Sequence, residues 1–212
     1  MSLPVWILFV TVALAAVLSP GPAVLHAITN SMTFGWRRVA FSSLGNILGL
    51  LVLSSLAMAG MGALLKTSAL LFTLLKLLGA GYLIHLGFRQ WRSGASLFSQ
   101  AETLSAAGHS SNGRIFRKGL MVALTNPKAI LFFSALFPQF IRPDRVLAPQ
   151  FLILTTTFMF LSFSALMSYG LVAHTARAWF ADERRGTWFN RASGSVFFLL
   201  GIGMLRIKAS RG

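Results

Sequence analysis

Two short stretches hold the residues best suited to chemistry: Ser19-Pro20-Gly21-Pro22 and Thr125-Asn126-Pro127-Lys128, about half a chain apart. Proline lacks a backbone N–H and its ring clashes with the preceding turn, so each stretch stops a helix. Each also restarts one, because Ser19 and Asn126 are N-capping residue types followed directly by proline, which is favoured at the first helical position. A restarted helix presents unpaired N–H groups and the positive end of its dipole, a setting for an anion such as a carboxylate. Lys128 adds a full positive charge just inside the second restart. It either snorkels to the surface on its long stem or faces the bound anion, and its place beside the break favours the second.

The elements that must position these groups are membrane helices. The chain is 55 % apolar, with only four carboxylates in 212 residues, a balance foreign to soluble domains. Uncharged or nearly uncharged runs cover Ser2 to Trp36, Val39 to Leu65, Thr67 to Phe88, Gly119 to Ile141, Val146 to Ala176 and Ala192 to Leu205. A spanning helix needs roughly 20 apolar residues, so these runs predict six spans, the last being the shortest. Ser19 lies near the middle of the first run, where a mid-membrane break has to be. Met1 to Leu18 lacks the basic start of a secretory signal, and cleavage there would remove the helix leading into Pro20; an uncleaved first span is expected.

The halves look duplicated. Ser93 to Gly113, rich in Ser, Ala and Gly, reads as a flexible cytoplasmic linker between a first three-helix repeat, 1–92, and a second, 114–212, of a single polytopic domain. Lys76-x-x-Gly79-x-x-Tyr82-Leu83 matches Arg191-x-x-Gly194-x-x-Phe197-Phe198, pairing the third span with the sixth as the proline breaks pair the first with the fourth. Three spans per half invert the second half relative to the first. The fold class is therefore an all-α integral membrane protein: six transmembrane helices in an inverted 3+3 repeat with proline-broken first and fourth helices.

The net charge of +15 does not point to nucleic acid, because the basic residues are scattered over short loops. Arg37, Arg38, Arg89, Arg92, Arg114, Arg117, Lys118, Arg177, Arg184, Arg185 and Arg191 fall on one side. Lys66, Arg142, Arg145, Arg206, Lys208 and Arg211 fall on the other. The excess puts the first set in the cytoplasm and both termini outside.

Other polar residues have two readings. Thr155, Ser162 and Tyr169 share one face of the fifth span, with Ser168 and His174 nearby, and either line a path or bond backbone and neighbouring helices. Gly45 and Gly49 make a small-residue face for helix packing, and Asn46 between them faces a cavity or a neighbour. Lys76 is expected to snorkel. His26 and His85 read as structural or interfacial, and the four histidines have no metal-ligand spacing. Without cysteine there is no thiol-disulfide carrier and no thiolate metal site, and no nucleophile elbow supports an intramembrane hydrolase. A purely structural helix-packing protein would not need two costly breaks. No enzyme activity and no cofactor are expected.

The runs Leu18-Ser19-Pro20-Gly21-Pro22, then Gly35, Gly45 and Gly49, then Gly79-Ala80-Gly81-Tyr82-Leu83-Ile84-His85-Leu86-Gly87, then Leu124-Thr125-Asn126-Pro127-Lys128-Ala129 and Phe137-Pro138-Gln139-Phe140 resemble the LysE/RhtB family of bacterial amino-acid exporters over nearly the whole chain. The resemblance implies a six-helix inner-membrane secondary transporter, homodimeric and proton-coupled, that moves amino acids or related metabolites out of the cytoplasm. Two departures bear on substrate. Many relatives carry Asn where this chain has Ala23, and lysine-type members carry Asp where it has Leu50. No span contains Asp or Glu, so an extra positive charge on the substrate would lie unpaired in the membrane at a cost of several kcal/mol. The expected substrate is a neutral zwitterion of the homoserine, threonine or leucine kind; a basic amino acid or a metal cation is the alternative. If transport is proton-coupled, Lys128, a histidine or the substrate itself carries the proton. The candidate substrate-binding set is Ser19, Pro20, Gly21, Pro22, Asn46, Thr125, Asn126, Pro127, Lys128 and Tyr169.

Overall fold

The computed structural model describes residues 1–64, 110–142, 144–175 and 183–206, with Leu77, Ala80, Gly81, Ile84, His85, Gly87, Phe88, Arg89, Trp91 and Arg92. Most of the linker 93–113, together with Lys76, Gly79, Tyr82 and Leu83 of the internal match, lies outside the described residues. The described residues form helices and no strand: α1 Leu3–Leu18, α2 Pro22–Phe34, α3 Trp36–Leu64, α4 Asn112–Thr125, α5 Pro127–Leu131, α6 Leu147–Thr175 and α7 Glu183–Arg206. The described residues between Leu77 and Arg92 are also helical.

Trp36–Gly60 and Leu147–His174 are each long and apolar enough to cross a membrane alone. Two further pairs reach that standard only jointly: α1 with α2, bent by 53°, and Asn112–Thr125 with Pro127–Phe140, bent by 51°. The described chain thus has two to four candidate spans by length and composition.

Proline and glycine set the local boundaries. Proline disfavours helical geometry in the residue before it. Ser19, before Pro20, and Gly21, before Pro22, are accordingly both extended (ψ 133° and −175°), and α2 begins only at Pro22. At the other end of α2, Gly35 has φ 85°, a conformation that an L side chain resists, and it turns the chain directly into α3. After α5 the helix widens into a π turn over Phe132–Leu136 and tightens into a 3-10 turn over Phe137–Phe140, which carries Pro138.

Glycines set the helix packing. A Cβ at Gly45 would lie 2.0 Å from the Phe116 carbonyl oxygen, and one at Gly119 would lie 2.1 Å from the Ser42 carbonyl oxygen. Gly49 meets Ala123 farther along, so α3 and α4 run in the same direction with their backbones touching. Gly87 opposes Gly194, and Gly201 opposes Ala80 and Ile84, so the described helical residues before Arg92 run antiparallel to α7. The main apolar core gathers Phe9 of α1 with Phe132, Phe133, Phe137 and Phe140 of the irregular turns and Phe158 of α6. Phe9 meets three of these rings edge to face, at centroid distances of 6.1, 6.3 and 5.1 Å.

Candidate functional site

At the first break the backbone loses helical partners in a definite order. Pro22 has no N–H to offer the Leu18 carbonyl, and the extended Gly21 carries the next N–H groups away from Ser19. Both carbonyls are taken by side chains from the second half of the chain. The Tyr169 hydroxyl donates to the Leu18 oxygen at 2.5 Å, and the Lys128 ammonium donates to the Ser19 oxygen at 2.7 Å. Ser19 closes α1, donating its N–H to the Ala15 oxygen. The N-cap of α2 is Gly21, whose carbonyl receives the Leu25 N–H, and Pro22 rather than Pro20 takes the first helical position. The expectation that Ser19 caps the restarting helix is therefore corrected, because the second X-Pro step moves the helix start beyond its reach. The Ser19 hydroxyl is 2 % exposed and has no hydrogen-bond partner.

The second break closes on itself. Asn126, extended before Pro127 and 4 % exposed, donates its N–H to the Ala123 oxygen, receives the Ile130 N–H on its carbonyl, and accepts the Lys128 N–H on its side-chain oxygen at 3.1 Å. One residue thus ends α4 and caps α5, the N-cap and proline order read from the sequence. The direction of α5 carries the Lys128 stem across to the first break, where its Nζ would stand 3.2 Å from a Cβ at Gly21. Glycine there leaves the ammonium room.

The structure therefore brings together Ser19, Gly21, Lys128 and Tyr169, with Pro20, Pro22, Asn126 and Pro127 shaping the backbone around them. It turns Thr125 away: its side chain is exposed and bonds the Met121 carbonyl of its own helix. Asn46 is buried and donates to the Ser162 hydroxyl at 3.2 Å, joining α3 to α6. On the α6 stripe, Ser162 and Tyr169 bond neighbouring elements, Thr155 has a buried hydroxyl without a partner, and Ser168 bonds its own backbone.

A narrow recess, too tight in this conformation for a water molecule, lies one turn along α2 from the first break. Its walls include Ala23 and His26 of α2, Ser42 and Asn46 of α3, Gly119 of α4 and Leu166 of α6. His26, read from the sequence as structural or interfacial, has its Nε2 paired with the Asn30 side-chain nitrogen at 3.1 Å, and the i, i+4 spacing of the two is the sequence signal for that contact. Gln150, which no sequence pattern singles out, ties the loop before α6 by bonding Arg142 and Val146.

The pattern of the LysE type translocator family matches residues 14–207. A homoserine/homoserine lactone efflux protein of Salmonella typhi is 35 % identical over 196 residues, covering 92 % of this chain and 93 % of its own. A leucine efflux protein of Enterobacter sp. (strain 638) is 36 % identical over 157 residues, covering 73 % and 72 %. A membrane protein of Vibrio cholerae is 36 % identical over 206 residues, covering 97 % of each chain. No solved structure matches. With the family pattern running from within α1 to the residue after α7, the chain belongs to the LysE type translocator family.

Proposed function

We propose that the protein is a proton-driven secondary exporter of neutral, zwitterionic amino acids of the homoserine, threonine or leucine kind, or of closely related metabolites, in the bacterial inner membrane. Its functional form is a homodimer of six-span subunits, each an inverted 3+3 repeat with both termini outside. The parallel run of α3 and α4 and the antiparallel run of α7 and the described helical residues between Leu77 and Arg92 are compatible with such a repeat. Two relatives are named for efflux of homoserine or its lactone and of leucine, which supports the substrate class.

The observation that carries this reading is the contact between the Lys128 ammonium and the Ser19 carbonyl. The pair is complementary to a zwitterion. An arriving carboxylate takes Lys128 and the free N–H end of α2; the Ser19 carbonyl, released, accepts from the substrate's ammonium. The unpartnered Ser19 hydroxyl offers a further polar contact at the same point. Each charge of the substrate replaces one partner of a contact already present, so no isolated charge is buried at any stage. A lysine or arginine side chain would bring a second positive charge, and every carboxylate of the chain, Glu102, Asp144, Asp182 and Glu183, lies outside the apolar runs.

The test is efflux from preloaded vesicles with and without a pH gradient. Neutral amino acids should leave faster when the outside is acidic, and lysine and arginine should stay. Export of lysine or arginine at rates comparable to those of neutral amino acids would overturn the substrate assignment, and indifference to the gradient would overturn the coupling.

A further inference from the structure

A carrier driven by protons needs a group that binds and releases one, and this inference rests on that part of the proposed function. Membrane carboxylates commonly serve, and here the apolar runs contain none. Among the described residues, the Lys128 ammonium and the Tyr169 hydroxyl are both engaged with break carbonyls. His85 and His174 lie on the exposed surface. His26 differs from all of these: it is half-buried, it lines the recess where four helices converge, and it stands one turn from the first break.

Its partner suits a reversible proton. Asn30 places its side-chain nitrogen 3.1 Å from Nε2, an arrangement in which an unprotonated Nε2 accepts from the amide. The same amide, turned over, presents its oxygen and accepts from a protonated Nε2. A carboxylate partner would hold the proton; an amide serves both states equally. The other groups facing the ring are Lys118 of α4, Ser42 and Asn46 of α3, and Leu166 of α6, so Lys118 is the charged neighbour. A motion of α2 about the break would alter its separation from Lys118 of α4.

We propose that His26, held by Asn30 in the recess beside the first break, is the group that binds the coupling proton from outside and releases it to the cytoplasm. The N–H bond formed at Nε2 after substrate leaves outward is broken again before the next substrate binds. One proton site is used, with no other bond made or broken.

The test uses the full chain in vesicles, comparing wild type with His26→Gln and Asn30→Asp. Exchange of internal for external amino acid needs no net proton movement, whereas gradient-accelerated efflux does. The expected result is that both variants keep exchange while losing acceleration by an acidic exterior, the first because it cannot bind the proton and the second because its carboxylate holds it. Acceleration retained in either variant overturns the proposal. Loss of exchange in both also overturns it, since a group that serves only the proton is dispensable for exchange. A wild type that exports neutral amino acids without any response to the gradient removes the coupling itself, while the Lys128 assignment stands or falls separately with the carboxylate.

Discussion

The two breaks bend the chain by nearly the same angle, 53° and 51°, and complete their backbones by opposite means. Asn126 satisfies the second break locally, with its own N–H, carbonyl and side chain. The first has two X-Pro steps instead of one, and its freed carbonyls depend on Tyr169 and Lys128 from the other half. A self-sufficient break is a fixed support. A break held by long side chains can change partners, and the support is what delivers one of those side chains. On the proposed reading, the two poles of a zwitterion site come from these two unlike breaks, with Lys128 two residues after Asn126 and Ala23 two residues after Gly21.

The sharpest way to break this comparison is Lys128→Ala. It removes a charge-assisted bond of about 1.5–3 kcal/mol, so export should fall by about ten- to a hundredfold while the protein remains folded and inserted. Normal efflux by this variant in preloaded vesicles would refute the role of Lys128. Next comes the packing that holds the breaks in register. Gly119→Ala places a methyl group 2.1 Å from the Ser42 oxygen and should cost about 1–3 kcal/mol, read as a lower melting temperature in detergent. Gly81→Ala meets nothing within 4 Å and serves as the control.

The two polar cap residues separate the breaks more finely. Asn126→Ala should lower stability by about 1 kcal/mol, the usual cost of a lost N-cap, whereas Ser19→Ala should leave melting nearly unchanged and slow export, since its hydroxyl bonds nothing in this conformation. Equal melting shifts for the two would show that the breaks are satisfied alike. The smallest effect on transport is expected for Tyr169→Phe. It leaves the Leu18 carbonyl without its donor, a loss of about 0.5–1.5 kcal/mol in stability, and Lys128 should still support transport.

The parts of this arrangement legible in the sequence are those fixed by short-range sterics. Proline marked both breaks, Asn126-Pro127 announced a cap, and Gly45 and Gly49 announced close helix packing. The start of α2 was misjudged by two residues because the effect of Gly21-Pro22 outweighed the capping tendency of Ser19. The partners of Lys128 and Tyr169 lie 109 and 151 residues away, and no periodicity encodes such contacts. The π and 3-10 turns after α5 answer to the packing of five phenylalanines around Phe9, which is likewise tertiary. Asn46, legible as a polar residue on a packing face, has Ser162 as its partner only because α6 crosses there.

In the proposed transport cycle, Lys128 and the first break read the carboxylate of a zwitterion. This role is tested most directly by competition against efflux of the neutral amino acid that wild type exports fastest, using that amino acid and its decarboxylated amine as the two competitors. The amino acid should compete, and the amine, identical except for the missing carboxylate, should not. Competition by the amine equal to that of the amino acid would contradict it.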